Sequence, residues 1–474
     1  MEYDKHDHIF VGGRWIPAHG PCDIDVIAPA TEQVIATVSR CDDVDVDAAV
    51  SAARGAFDEW SRSSLEDRSM YFEKMASLLE SQIDDVTDTI STEVGHPRKH
   101  ARVAQVIGAV DELRMIAKDL HDIAWEEQRG GATVRRVPAG VVAAITAWNA
   151  PLRSIVSKAG AAMAAGCTVV VKVSEVAPLS GYIFAEIVRQ SGVPAGVFNF
   201  LVGTGPEVGE ALVLHPDVDM VSLTGSVGAG SRVMELAARG VKRVHLELGG
   251  KSAHIIMGDA PLEEAIGVTV EDAFRNAGQV CGSLSRVLVP RERLAEAEEL
   301  LARKAESFVI GDPFAEETTL GPVKTARQRD RVRSMIEDAV ASGEARLVTG
   351  GAEQPEHLED GYFIRPTVFS TTNDSRIARE EVFGPVISVI PFEDVDDAIR
   401  IANDSPYGLA GGVWAGDPAD ARAVATRIRT GRVRINGKPL DKNAPHGGFK
   451  LSGIGREWGR YGIEEFLEYQ SLMG

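Results

Sequence analysis

The chain has 474 residues, of which 44% are hydrophobic and 25% are charged, the composition of a soluble globular protein. This length exceeds one ordinary hydrophobic core, so two or more domains are expected. The 50 basic and 70 acidic residues give a net charge of −20, which excludes nucleic acid or an anionic membrane as a general partner.

The cysteines and the N-terminus indicate the compartment. The chain has four cysteines: Cys22, Cys41, Cys167 and Cys281. They form no CxxC and no Cys/His metal pattern, so we expect no disulfide framework, no metal site and a reducing cytoplasm. The charged start "MEYDKHDHIF" lacks the apolar segment of a signal peptide. The most apolar run, 159–171, is shorter than the roughly 20 residues that span a bilayer.

In chain order, an amphipathic helix is predicted around 65–90, and strands and helices alternate regularly from Val141. The predicted strands are 141–146, 168–173, 197–202, 220–225 and 243–248. The helices between them are 154–165, 179–190, 206–214 and 227–238. Apolar strands alternating with helices of about 10–15 residues are typical of a parallel sheet, which binds ligands at the carboxyl ends of its strands.

The second half repeats this pattern less regularly. Its predicted strands are 253–257, 286–289, 388–392 and 411–415, and its charged helices include 291–306 and 326–342. A second α/β domain is therefore expected to begin soon after Gly249 and Gly250.

Three segments of the first half follow strands and could bind phosphate or ribose. The glycine clusters "GTGPEVG" (203–209) and "GSVGAG" (225–230) could each place a helix N-terminus at a phosphate. Neither is a GxGxxG motif, and glycine is also the default residue of an ordinary turn. In "KVSE" (172–175), the carboxylate could hold ribose hydroxyls and repel a 2′-phosphate, or form a solvated salt bridge.

Polar residues at two other strand ends are candidates for catalysis. Glu247 in "RVHLELGGKS" (243–252) lies on the polar face of its strand and could be a general base or part of that face. Asn149 in "AWNAPL" (147–152) could donate a hydrogen bond to an oxyanion or cap the following helix.

Two loops in the second half leave similar alternatives. Cys281 in "NAGQVCGSLSR" (276–286) is a nucleophile or a small apolar residue that packs in the interior. Glu381 and Phe383 in "REEVFGPV" (379–386) form a turn or a ligand clamp.

In this order the motifs closely resemble the signatures of the NAD(P)-dependent aldehyde dehydrogenase superfamily. The matching motifs are Asn149, Lys172 to Glu175, Gly225-Ser226, Glu247-Leu-Gly-Gly, Gly278-Gln-Val-Cys281, Glu381-Val-Phe383 and "HGGFKLSGIGRE" (446–457). The 34 residues between Glu247 and Cys281 also fit the family, and the resemblance runs from "FVGGRW" (10–15) to "YGIEEFLEYQ" (461–470).

The resemblance implies an α/β fold with a Rossmann-like, parallel-sheet NAD-binding domain, a second α/β catalytic domain and a small bridging or oligomerisation segment. The implied bounds are 1–119 and 139–248 for NAD binding, 249–451 for catalysis, and 120–138 and 452–474 for oligomerisation. Homodimer and homotetramer both remain open.

The resemblance also implies oxidation of an aldehyde to its carboxylic acid with hydride transfer to NAD+. Cys281 would attack the carbonyl as a thiolate, and the Asn149 amide with the Cys281 backbone N–H would hold the oxyanion. Glu247 would then activate the water that hydrolyses the thioester. Lys158 matches a lysine that the family places in a proton relay behind this base.

The cofactor residues implied by the resemblance are Trp148, Lys172, Glu175, Gly225, Ser226, Leu248, Glu381 and Phe383. Lys172 and Glu175 would bind the adenosine ribose, and Glu381 the nicotinamide ribose. Because a 2′-phosphate would meet the Glu175 carboxylate, NAD is expected in preference to NADP.

Departures from the family concern the substrate. Ala150 stands where relatives often have an aromatic residue, and the small Ser154 and Ser157 predict a roomy pocket. Arg153 and His446 replace apolar or aromatic residues, so we expect a bulky or polar, even anionic, aldehyde. If Arg153 points to solvent, this expectation loses its basis. Two further residues are expected to line the pocket beside the nucleophile: Val280 and Gly282.

Two other functions are alternatives to hydrolytic aldehyde oxidation. A CoA-acylating aldehyde dehydrogenase would pass the thioester to CoA, but such relatives generally lack the base that Glu247 supplies here. A non-catalytic protein that retains the fold is disfavoured by the intact set of Cys281, Glu247 and Asn149.

Overall fold

A computed structural model describes residues 6–474, so the first five residues of the predicted NAD-binding segment and of the charged N-terminus lie outside it. The strands are β1 His8–Val11, β2 Arg14–Pro17, β3 Cys22–Ile27, β4 Val34–Ser39, β5 Glu126–Arg129, β6 Ala132–Pro138, β7 Val141–Ile145, β8 Thr168–Ser174, β9 Phe198–Gly203, β10 Met220–Thr224, β11 Arg243–Glu247, β12 Ala253–Ile256, β13 Arg286–Pro290, β14 Ala345–Thr349, β15 Thr367–Thr371, β16 Val386–Phe392, β17 Ala410–Trp414, β18 Arg432–Ile435, β19 Gly453–Ile454 and β20 Leu467–Met473.

The α-helices cover the sheets on both sides. They are α1 Asp43–Trp60, α2 Leu65–Glu80, α3 Ile83–Val94, α4 Arg98–Ala101, α5 Gly108–Asp119, α6 Pro151–Ile155, α7 Ala161–Ala165, α8 Leu179–Ser191, α9 Glu210–Leu214, α10 Val227–Ala237, α11 Leu262–Phe274, α12 Leu294–Glu306, α13 Ala326–Ser342, α14 Arg376–Arg379, α15 Val395–Asn403, α16 Pro418–Ala425 and α17 Gly459–Glu464. Among the described residues, no helix combines the length and apolar character needed to cross a membrane.

The first sheet has eight strands in the order β19-β11-β10-β7-β8-β9-β1-β2. Its central strands, from β11 to β9, are parallel, as the alternating pattern predicts. Every residue of β7, β8 and β9 is buried, which explains why these strands are continuous apolar runs in the sequence. The sequence prediction of a parallel α/β sheet is confirmed.

The second sheet has seven strands in the order β14-β15-β16-β13-β12-β17-β18, all parallel except for β14. A separate three-stranded antiparallel sheet pairs β20 with β6 and β6 with β5. The segments 120–138 and 452–474 are therefore joined to each other by strand pairing within one chain.

The single helix predicted around 65–90 is wrong, because the structure has two helices there, α2 and α3. The Ser81 hydroxyl and the Gln82 amide both donate to the Leu78 carbonyl, at 2.7 and 3.3 Å. Gln82 itself has non-helical angles, φ −118° and ψ 19°. Side-chain donors that compete for backbone carbonyls end the first helix at this point.

The parallel strands bring the candidate residues together. Asn149 follows β7, Lys172 lies near the end of β8, and Glu247 is the last residue of β11. Thr224 at the end of β10 is in register with Glu247, so these strand ends form one edge of the sheet. Sites of α/β proteins lie at this edge.

Candidate active site

The loop that carries Cys281 has an unusual backbone. Asn276, Ala277 and Gly278 follow α11 with φ values of 51°, 53° and 73°, and the first two are non-glycine residues in the unfavourable left-handed region. A Cβ atom on Gly278 would collide with the Gly384 carbonyl. The buried Gln279 fixes the loop, because its amide donates to the Asn276 carbonyl at 2.9 Å and accepts from the Lys324 backbone N–H at 2.8 Å.

Cys281 and Glu247 are in direct contact. The thiol donates to Glu247 Oε1 at a distance of 3.5 Å, and the glutamate side chain is 3% exposed. Burial is the main cause that raises the pKa of Cys281, and the Glu247 carboxylate raises it further, against the opposing Arg432 guanidinium. The thiol is therefore protonated at neutral pH, and its proton faces a carboxylate that can accept it.

Asn149 lies against the same loop. Its Nδ2 donates to the Gln279 backbone carbonyl at 2.9 Å, and the backbone carbonyl of Asn149 accepts from Asn276 Nδ2 at 3.1 Å. An amide nitrogen carries two N–H groups, so the second remains available for an oxyanion. The alternative that Asn149 caps the following helix finds no support, because α6 has no side-chain cap hydrogen bond.

Replacing Asn149 with Ala is expected to lower kcat by about 10²–10³-fold, the usual effect of losing one oxyanion donor. KM should change much less, because the donor acts mainly after attack. Pre-steady-state NADH formation measures the step directly. A burst rate within threefold of the wild type would remove Asn149 from the oxyanion role.

His446 contacts the same Glu247 oxygen as the Cys281 thiol. Its Nε2 is 3.0 Å from Glu247 Oε1, and its Nδ1 is 3.1 Å from Arg432 Nη1. Glu247, Cys281 and His446 place one potential metal ligand each within 4.8 Å of one another. A guanidinium only donates, so Nδ1 accepts and Nε2 carries the ring proton. That proton occupies the nitrogen that faces the other two ligands, which disfavours a metal ion.

Lys158 lies in a π-helical turn, Val156–Gly160, between α6 and α7. Its fully buried ammonium contacts Glu457 Oε1 at 2.9 Å and the Ser222 hydroxyl at 3.2 Å. Burial alone would raise the pKa of Glu457, but the charge of Lys158 lowers it. Glu457 is the last residue of the motif "HGGFKLSGIGRE", and the sequence alone assigned it no role. A carboxylate two residues after Gly455 was the available signal.

The residues expected to bind the adenosine end of the cofactor lie along neighbouring strand ends. Lys172 is 4% exposed and its Nζ is 3.4 Å from Glu175 Oε2. Ser226 follows Gly225 and caps α10, accepting from the Ala229 N–H at 3.2 Å. The N-terminus of this eleven-residue helix faces the same edge of the sheet, which suits a pyrophosphate.

The residues expected at the nicotinamide end also converge. The rings of Trp148 and Phe383 meet edge to face at 5.5 Å. Glu381 Oε1 accepts from the Gly250 N–H at 3.0 Å, and a Cβ atom on Gly249 would overlap this carboxylate. Burial raises the pKa of Glu381 to about 7. Leu248 packs against Gly230 of α10, where a Cβ atom would collide with it.

The residues expected to line the substrate pocket have different surroundings. Arg153 Nη2 is 3.5 Å from Glu112 Oε2, and its guanidinium lies 5.7 Å from the centre of the Trp458 ring. The Ser157 hydroxyl donates to Glu112 Oε1. Three predicted residues are partly exposed near Cys281 and α6: Ala150, Ser154 and Val280. The space that Gly282 leaves open is taken by the Arg432 guanidinium.

Comparisons with known proteins identify close relatives of this chain. A family model described as the aldehyde dehydrogenase family matches residues 15–472. The chain is 46% identical over 467 residues to 3-succinoylsemialdehyde-pyridine dehydrogenase of a Pseudomonas species, with 98% of each chain covered.

Solved structures give the same picture. A mutant of aldehyde dehydrogenase C from Pseudomonas syringae, complexed with NAD+ and octanal, is 44% identical with a TM-score of 0.97, and 99% of this chain and 96% of that chain are covered. An NAD+ complex of an aldehyde dehydrogenase from Bacillus cereus is 37% identical with a TM-score of 0.95, and the coverage is 99% and 96%.

Proposed function

The chain belongs to the aldehyde dehydrogenase family, and on that premise we propose that Cys281, Glu247 and Asn149 carry its NAD+-linked oxidation of an aldehyde to a carboxylic acid. The observation that supports these roles most directly is the 3.5 Å contact between the Cys281 thiol and the Glu247 carboxylate. A nucleophile in contact with a buried base is the arrangement that covalent catalysis requires.

The first step forms a bond between sulfur and the aldehyde carbon. Glu247 takes the thiol proton, the thiolate attacks, and the carbonyl oxygen becomes an oxyanion. Asn149 Nδ2 and the Cys281 backbone N–H donate to this oxygen. When bound, NAD+ would accept the hydride that leaves the former aldehyde carbon as the oxyanion collapses to a carbonyl, and the acyl group would remain on Cys281 as a thioester.

The second step releases the acid. Glu247 removes a proton from water, which attacks the thioester carbon while the C–S bond breaks and the thiolate leaves. Glu247 must therefore lose the thiol proton before it takes one from water, and must lose that second proton before the next cycle. The Lys158–Glu457 pair lies in the same interior region with a hydrogen bond of 2.9 Å. We assign the relay role to this pair.

The cofactor preference follows from the charge beside Lys172. Replacing Glu175 with Gln is expected to raise the ratio of kcat/KM for NADP to that for NAD about tenfold, because one like-charge interaction of roughly 1–4 kcal/mol is removed. Steady-state kinetics with both dinucleotides measure this ratio. Glu235→Gln, on the exposed face of α10, is the control and should not change it. An unchanged ratio in Glu175→Gln would show that another residue discriminates between NAD and NADP.

The substrate is proposed to be a bulky or polar, even anionic, aldehyde. Ala150 and Ser154 leave space, and two arginines lie at Trp458: Arg432 and Arg153. Because Arg153 is 3.5 Å from Glu112, an anionic substrate group would compete with Glu112 for its guanidinium. The names of the relatives specify 3-succinoylsemialdehyde-pyridine and octanal, both larger than acetaldehyde.

An aldehyde panel tests the substrate class. Carboxylate-bearing aldehydes should be oxidised with higher kcat/KM than acetaldehyde, and Arg153→Leu should raise their KM by about tenfold, the effect of one charge-assisted contact. Equal kcat/KM values across the panel, unchanged in Arg153→Leu, would contradict this class. Acid release without added CoA distinguishes the hydrolytic reaction from the CoA-acylating alternative.

The chain is proposed to form a homodimer or homotetramer in the cytoplasm. Strand β20 exposes large apolar side chains at Tyr469 and Met473, 69% and 80% accessible, on a small sheet whose outer strands have free edges. All four cysteines are free thiols, which suits a reducing compartment. Sedimentation velocity should give a dimer or tetramer mass.

A further inference from the structure

We propose that His446 is a positioning residue that holds the Glu247 carboxylate on the Cys281 thiol, and that Arg432 fixes the tautomer that allows it to do so. This inference rests on the base role proposed above for Glu247. It concerns His446, to which the family resemblance assigns no catalytic role.

The hydrogen bonds define which nitrogen carries the proton. Arg432 Nη1 lies 3.1 Å from His446 Nδ1, and a guanidinium has no acceptor. Nδ1 therefore accepts, and in the neutral ring the proton is on Nε2, which donates to Glu247 Oε1 at 3.0 Å. The same oxygen accepts from the Cys281 thiol at 3.5 Å. Arg432 thus donates to His446 and His446 to Glu247, while the Cys281 thiol donates to the same Glu247 oxygen.

Glu247 has little else to hold it. Within residues 6–474, its second oxygen, Oε2, is buried and has no hydrogen-bond partner. Only the imidazole and the thiol donate to the carboxylate among the side chains described. The thiol is the group that reacts, so His446 is the partner that remains throughout the reaction.

The surroundings keep the imidazole itself in place. The ring of His446 stacks on Trp458 with centroids 4.5 Å apart and an angle of 21°, and Arg432 lies over the same indole at 5.6 Å. Trp458 has φ 71°, an unfavourable value for a non-glycine residue. The backbone N–H of His446 donates to the Glu457 backbone carbonyl at 2.8 Å. Gly282 leaves room for the Arg432 guanidinium beside Cys281.

The expected consequence is a loss of thiol reactivity when the donor is removed. A buried carboxylate without its donor is left unpaired, which is unfavourable, and it turns away from the thiol. In His446→Phe, alkylation of Cys281 by iodoacetamide at pH 7.5, without aldehyde or cofactor, should slow by about 10–100-fold, the usual effect of one hydrogen bond to a charged group. His446→Gln keeps an amide N–H within reach of Oε1 and should recover most of the rate.

Two further variants separate positioning from general damage. The double variant His446→Phe/Glu247→Gln should be no slower than Glu247→Gln alone, because both changes break the same contact. Arg432→Lys keeps a positive charge beside Cys281, where Arg432 lowers the thiol pKa, but removes the guanidinium N–H that donates to Nδ1. It should slow alkylation in the same direction, and it provides the test if His446→Phe does not fold. In steady state, kcat should fall in His446→Phe more than KM rises, with NAD+ affinity unchanged.

The outcomes distinguish this inference from the proposed function. Wild-type alkylation in both His446→Phe and Arg432→Lys, or additive effects in the double variant, would overturn the positioning role while leaving Glu247 as base. Wild-type alkylation and turnover in Glu247→Gln would overturn the base role and the inference together. Failure of His446→Gln to exceed His446→Phe would show that the ring packing, and not its donor, sets the rate, which also overturns it.

Discussion

Replacing Cys281 with Ser is expected to lower kcat/KM for aldehyde oxidation at least about 10⁴-fold, as the loss of a covalent nucleophile commonly does. The hydroxyl occupies nearly the same place and keeps the contact with Glu247, but it ionises far less readily and makes a poorer leaving group in hydrolysis. NADH formation at saturating aldehyde and NAD+ measures the loss. NAD+ affinity should stay within about twofold, because the sulfur is not among the groups proposed to bind the cofactor.

Cys167→Ser and Cys22→Ser are the matched controls. Cys167 is buried and its thiol donates to the Phe466 carbonyl at 3.5 Å, while Cys22 is exposed. Neither variant should lower kcat/KM by more than about threefold when the protein is folded. Burial raises the pKa of Cys167 to about 11 and that of Cys41 to about 12, so a raised pKa does not single out a nucleophile. Residual activity above one tenth in Cys281→Ser would place the nucleophile elsewhere.

Burial on both faces determines how much of the fold can be predicted from the sequence. The strands from β7 to β10 are short, mainly apolar runs between helices, and β11 alternates polar with apolar residues. The existence and parallel pairing of these strands are confirmed. The strands β5, β6 and β20 escaped prediction because they are partly or fully exposed and mix polar with apolar residues. Their pairing joins distant segments of the chain, which local patterns do not reveal.

The site shows the same division. Cys281, Glu247 and Asn149 could be proposed as site residues from the sequence because each lies in a motif that resembles a family signature. The contact between His446 and Glu247 could not, because it joins segments 199 residues apart and depends on the rotation of one imidazole. Glu457 was overlooked for a similar reason, since its partner Lys158 is 299 residues away. The sequence shows a histidine in "HGGF", but it does not show that this histidine contacts Glu247.

Replacing Glu247 with Gln is expected to separate the two halves of the reaction. The amide cannot accept a proton from water, so acyl-enzyme should accumulate and steady-state turnover should fall about 10³-fold, within the range typical of a general base. Since the thiol also loses its base, the first turnover should slow, but its rate should rise with pH as the thiolate fraction grows, so a burst of NADH should become visible at alkaline pH. Rapid mixing of a known concentration of enzyme active sites with aldehyde and NAD+ at pH 9 measures the burst amplitude per active site.

A burst close to one NADH per active site, followed by a stall, would assign deacylation to Glu247. Intact-mass measurement of the stalled enzyme should show the acyl group on Cys281, and hydroxylamine should release it and restore a second burst, because a strong nucleophile needs no base to attack the thioester. Linear NADH formation at the wild-type rate in Glu247→Gln would remove Glu247 from the base role. A slow linear rate without a burst would instead show that attack of the thiol on the aldehyde limits turnover of the variant. The main role of Glu247 would then be deprotonation of the Cys281 thiol, which its carboxylate contacts.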